Sequence, residues 1–136
     1  MRPIEFKAQN VNGVWVWGNL SILKKKIGNV AAGSYISNSA GAPFAYKVRP
    51  ETVSQFIGLT DKNGKKIFEG DIVEIIEIDA FGNLDWNRLK GKVMFSEGAW
   101  LVTDNRSFAI PLWSEINEIK VIGNIYENTE LMEVSE

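Results

Sequence analysis

From Phe6 to Ile125 the chain is a succession of short apolar runs, each about four to ten residues long and closed off by Gly, Asn or Asp, which leaves little room for a stable helix. The expected fold is mainly β. Val14-Trp15-Val16-Trp17-Gly18-Asn19-Leu20-Ser21-Ile22-Leu23 is the first clear run, and Asn12-Gly13 ahead of it readily takes positive φ, so Pro3–Ala8 and Val14–Leu23 read as the arms of a hairpin. Phe44–Val48 and Thr52–Leu59 read as strands. Asp61-Lys62-Asn63-Gly64 is strong turn chemistry and joins Thr52–Leu59 to Lys65–Phe68 in a second hairpin.

Gly70-Asp71 then turns the chain into Ile72-Val73-Glu74-Ile75-Ile76-Glu77-Ile78. Ile75 breaks strict alternation there, which implies a bulge or a strand covered on both faces. With Lys90–Phe95, Ala99–Thr103, Phe108–Leu112 and Ile119–Ile125, this makes five strands after a longer loop at Asp79–Leu89. That pattern suits a small SH3-like β-barrel or a curled antiparallel sheet. Trp113–Asn117 is expected to form one helical turn before the last strand, and Asn128–Glu136 a short acidic helix or tail. Residues 1–69 thus form an N-terminal hairpin region with a flexible loop near 27–43, and residues 70–136 a small barrel, the two read as one compact unit.

The chain of 136 residues contains neither cysteine nor histidine. Disulfides, thiolate nucleophiles and cysteine-bound zinc are excluded, and so are the usual acid-base side chain near neutral pH and the commonest metal ligand. Glu69 with Asp71, and Glu74 with Glu77, are the carboxylate pairs available, the first roughly 7 Å apart on an extended strand. With no glycine-rich phosphate loop or activated nucleophile beside them, the expectation is a protein that is not an enzyme, with no metal and no cofactor. Ile27–Tyr46 is uncharged but interrupted by Asn, Ser, Gly and Pro, so it reads as a loop-rich connection and not as a membrane span. The start of the chain has no apolar run behind its charges, which argues against a signal peptide and for the cytoplasm.

Charge is divided unevenly: residues 1–52 hold seven Lys/Arg and two Asp/Glu, and residues 53–136 hold eight and fifteen, so the halves carry +5 and −7. Mutual attraction or solvated faces account for this most simply, and a basic nucleic-acid surface is the sharper alternative. Trp15 and Trp17, two apart on a strand, would share one face; they are expected in the core, with a stacking platform as the alternative. Lys24, Lys25 and Lys26 read as a solvated turn with phosphate contact as the alternative. Among Trp86, Arg88, Lys90, Lys92, Trp100 and Arg106, Trp100 is expected to be buried. Trp86 and Arg88, in a stretch read as loop, are the first candidates for ligand contact.

Thr52-Val53-Ser54-Gln55-Phe56-Ile57-Gly58-Leu59-Thr60-Asp61-Lys62-Asn63-Gly64-Lys65-Lys66-Ile67-Phe68-Glu69-Gly70-Asp71-Ile72-Val73 resembles the YopX-like family of phage and prophage proteins. Val121-Ile122-Gly123-Asn124-Ile125-Tyr126-Glu127-Asn128 is similar to that family's closing segment, and Ile4–Ala8 to its opening strand, while Trp15-Val16-Trp17-Gly18-Asn19-Leu20 resembles a variant with a Gly-rich hairpin. Lys7 stands where the family usually has arginine, and Thr129 where proline commonly follows. The resemblance implies a phage-derived origin and a bacterial cytoplasm, and it implies no reaction and no catalytic residues. The leading expectation is an accessory interaction protein that binds a protein partner or itself. A nucleic-acid-associated barrel and a carboxylate- and metal-dependent hydrolase are the alternatives.

Overall fold

The computed structural model describes residues 4–38, 45–78, 84–106, 108–112 and 117–132, and within these the side chains of 76–78, 84–88, 117 and 132 are left aside. Its strands are β1 (Phe6–Gln9), β2 (Trp15–Leu23), β3 (Gly33–Ser37), β4 (Ala45–Val48), β5 (Ser54–Thr60), β6 (Lys66–Phe68), β7 (Asp71–Ile78), β8 (Leu84–Ser96), β9 (Ala99–Thr103), β10 (Ala109–Pro111) and β11 (Asn117–Asn124). Among the described residues, helical geometry is confined to 3-10 turns at Pro50–Thr52 and Thr129–Met132. The chain divides into two units, Met1–Gly58 and Leu59–Glu136. The boundary therefore lies upstream of a division at residue 69, and β6 falls in the second unit.

In the first unit the strand order is β4-β3-β2-β1-β5, all antiparallel where the register is defined. β2 serves two partners: its residues Trp15–Gly18 pair with β1, and Asn19–Leu23 pair with β3. The change of partner falls at Gly18, whose φ of +155° and missing side chain let the Ser37 carbonyl approach; a Cβ there would collide with it. Strand alternation then sends Phe6, Ala8, Val16, Leu20, Ile36, Tyr46 and Val48 to one side, where Ala8, Ile36 and Val48 are buried at the centre of a core cluster. Ile36 is wholly inaccessible, a burial that contributes roughly 1.5–3 kcal/mol.

β3 is a correction to the sequence reading, because it lies inside the segment taken as a flexible loop near 27–43. Gly33-Ser34-Tyr35-Ile36-Ser37 alternates in burial, with Ser34 and Ile36 inside, but small and large residues do not alternate along it, so the strand is hidden among Gly and Ser. Ahead of it, Ile27 and Val30 close a tight turn through two backbone hydrogen bonds of 2.9 Å. The rest of that loop, residues 39–43, lies outside the described residues.

The second unit holds an antiparallel sheet of order β10-β9-β8-β7-β11. The protein is mainly β as expected, and its two antiparallel sheets do not close into a barrel. All five strands expected from Asp71 to Ile125 are present. The stretch Asp79–Leu89, expected to be a longer loop, is already strand from Leu84 onward, because β8 runs the length of β7 and pairs Leu89 with Ile75, Arg88 with Ile76 and Leu84 with Ile78. Ile72, Val73 and Ile75 are all fully buried, so β7 is covered on both faces, and its register with β8 also shifts between Ile76 and Ile78. The expected helical turn at 113–116 lies outside the described residues, and Asn117 already belongs to β11.

β11 is the last strand in that order, and an unpaired strand edge invites association with another chain. The Asp61 turn covers it. The Asp61 carboxylate accepts hydrogen bonds from the backbone N–H groups of Asn63 (2.8 Å), Lys65 (2.9 Å) and Val121 (3.0 Å), and the Lys62 N–H donates to the Ile119 carbonyl (2.9 Å). Gly64 takes the positive φ that the turn needs, +80°. Burial alone would raise the Asp61 pKa, but these three N–H donors and the Lys65 charge outweigh it and hold the carboxyl below its ordinary value.

A group whose pKa is depressed on folding stabilises the fold above its unfolded value, near 3.9, and loses that contribution as pH falls through the folded value. Asp61→Asn should therefore be less stable than the parent at pH 7, by about 2–3 kcal/mol, because an amide cannot accept from all three N–H groups. Chemical denaturation of both proteins at successive pH values should show the difference shrinking below about pH 4. A constant difference across that range would contradict the assignment.

Candidate functional site

The side of the first sheet opposite the core carries the candidate site. The pairings of Lys7 with Trp17, Asn19 with Ser37, Ser21 with Tyr35, and Tyr35 with Lys47 place Lys7, Trp15, Trp17, Asn19, Ser21, Leu23, Tyr35, Ser37, Ala45 and Lys47 on this outer face. Trp15 and Trp17 do share a face, but it is not the core face: alternation gives the core to Val16 and Leu20. Trp15 is half-buried, with the Lys7 ammonium 4.7 Å from its ring centroid in a cation–π contact. Trp17 is 47% exposed.

Further along the same face lies a groove of about 290 Å³ lined by Ser21, Leu23, Val30, Tyr35, Ser37 and Ala45. Its wall is fixed by the Tyr35 hydroxyl, which donates to the Ala31 carbonyl at 2.7 Å and holds the loop after the Ile27–Val30 turn against β3. Two lining residues, Leu23 and Val30, bracket Lys24, Lys25 and Lys26, all three exposed. Lys47 stands next to Tyr35 across the β3–β4 pair, its side chain passing over Gly33. An apolar and hydroxyl-lined groove, one open indole and exposed lysines on the same face and the adjoining turn can hold a planar or extended ligand with negative charge.

The other sequence candidates are dispersed. Trp86 and Arg88 lie on β8, a strand and not a loop; their side chains are outside the described residues. Trp100, expected to be buried, is half-exposed and meets Phe95 edge-on across the β8–β9 pair, ring centroids 5.0 Å apart, with Phe95 itself 51% exposed. Lys90 and Lys120 flank Glu74 in register on either side, a row of alternating charge across the sheet that accounts for Glu74 without a metal. Asp71 is 2% exposed and accepts the Phe68 N–H at 2.9 Å, so its carboxylate closes the Glu69-Gly70 turn. Among the described residues, no three Asp or Glu side chains gather as a metal ion would require. Sequence reasoning passed over Tyr35, Lys47 and the groove, because β3 was not recognised as a strand.

If this face is a surface and not core, Trp17→Ser should change the unfolding free energy by under about 1 kcal/mol, whereas Ile36→Ala on the opposite face should cost about 2–5 kcal/mol. Urea denaturation of the two variants distinguishes them.

A protein-family model described as YopX protein matches residues 6–133, nearly the whole chain. The crystal structure of protein EF1440 from Enterococcus faecalis is similar in fold, with a TM-score of 0.54 at 22% identity, over 98% of this chain and 100% of that one. No curated protein matches the sequence.

Proposed function

We propose that this chain, which belongs to the YopX protein family, is a phage-derived accessory protein of the bacterial cytoplasm that acts as a non-enzymatic binding module through the outer face of its N-terminal sheet. The observation that carries the reading is Trp17, 47% exposed on the same face as a groove of about 290 Å³, with the small polar residues Asn19, Ser21 and Ser37 between. A large indole left in water does nothing for the core of an isolated chain, and tryptophans so placed are the residues on which binding energy concentrates. The rigid pairing of β2, β3 and β4 beneath it keeps the face preorganised, which lowers the ordering cost of binding.

The non-enzymatic part of the proposal rests on chemistry available to the chain. It has no histidine or cysteine, and its buried carboxylates at Asp61 and Asp71 are committed to backbone N–H groups. The phage derivation and the bacterial cytoplasm rest on the sequence resemblance.

Immobilised parent protein, Trp17→Ser and Phe95→Ser should be used to capture material from prophage-carrying bacterial cells. The parent and Phe95→Ser should retain the same components, and Trp17→Ser should lose them. Equal retention by all three would overturn the choice of face.

A further inference from the structure

In the second unit, Lys62 lies 3.9 Å from Glu118, and Lys90 and Lys120 stand on either side of Glu74. In the first, Lys24, Lys25, Lys26 and Lys47 engage no partner among the described residues, and Glu5 and Glu51 are the only acids in residues 1–58. Lysines on the same sheet face and on the turn that follows β2, with an open indole and a groove holding Tyr35, are a complement for an anionic chain that also carries flat apolar groups.

We infer that the outer face of the N-terminal sheet is a binding site for single-stranded nucleic acid, with bases stacking on Trp17 and in the Tyr35 groove and phosphates meeting Lys47 and Lys24–Lys26. The inference rests on the reading of that face as the binding surface and names its ligand. Exposed aromatic residues on a sheet, set among small polar ones and edged by lysines, are what unpaired bases require: every base has a face to stack, and its backbone needs only diffuse positive charge. Trp17 and Tyr35 stand four residues apart in register along β2, roughly 14 Å by strand rise and spacing, so they serve two separate bases of one strand. Trp15 is left out of the platform because Lys7 already occupies its ring. A duplex would keep its base faces stacked away from Trp17, and among the described residues there is no α-helix to enter a major groove.

The test is fluorescence anisotropy with labelled oligothymidylate and oligouridylate, titrated with parent, Trp17→Ser, a Lys24→Glu/Lys25→Glu/Lys26→Glu triple variant and Phe95→Ser, between about 50 and 200 mM salt. The parent and Phe95→Ser should bind alike, and affinity should fall steeply as salt rises. Trp17→Ser should bind roughly ten-fold more weakly, the loss of one stacked base. The triple variant should lower the slope of log affinity against log salt by about 0.7 for each phosphate contact removed. No binding at the lowest salt, undiminished binding by Trp17→Ser, or complete competition by polyglutamate would each overturn the inference. Should the oligonucleotides fail while capture from cells still depends on Trp17, the face stands as the binding surface and its ligand is a protein.

Discussion

The first unit depends on one close approach of backbone to backbone. β2 is long enough to pair with β1 through its first four residues and with β3 through its last five, but only if the Ser37 carbonyl can come up against position 18. Glycine there permits it. Once β2 is shared in this way, strand alternation fixes everything else on the unit: Ala8, Val16, Leu20, Ile36 and Val48 must face inward together, and Trp15, Trp17, Ser21, Tyr35 and Lys47 must face outward together. The outer face is thus a consequence of how the core is made, and the groove beside Tyr35 exists because β3 and β4 continue the sheet past the end of β1.

In the second unit, Gly70, Asp71 and Asn124 hold two distant segments of the chain together. Gly70 lies beneath the Tyr126 ring, its carbonyl accepts the Ile125 N–H at 2.9 Å, and its own N–H donates to Val93. Asp71 and Ile72 pair with Asn124 and Gly123, and the Asn124 side chain accepts from Tyr126 and Glu127 to turn the chain out of β11. The Ile67–Val73 and Val121–Asn128 segments, distant in sequence, therefore clasp each other, while the Asp61 turn seals the free edge of β11.

Much of this was legible in the sequence, for a physical reason. Turns announce themselves through residues that tolerate positive φ, so Asn12-Gly13 and Asp61–Gly64 marked hairpins that the structure contains, and Gly70-Asp71 marked the turn that leads into β7. Strands dense in β-branched residues, such as β7, were equally plain. β3 was not, because Gly33, Ser34 and Ser37 look like loop residues and only their pairing with β2 and β4 gives them a strand's hydrogen bonds. The tryptophan pair was misjudged for a related reason: alternation says that Trp15 and Trp17 share a face, but which face is inside is decided by Ala8 and Ile36 on the neighbouring strands. Tyr35 and Lys47 followed β3 out of view, and with them most of the candidate site.

Mapping of the tryptophan indole N–H and backbone amide resonances by NMR during titration with oligothymidylate tests the central claim most directly. The account predicts that the Trp17 indole and the amides of β2, β3 and the Lys24–Lys26 turn shift together, while β7 and β11 stay in place. Shifts confined to the second unit, or none at all at low salt, would contradict it.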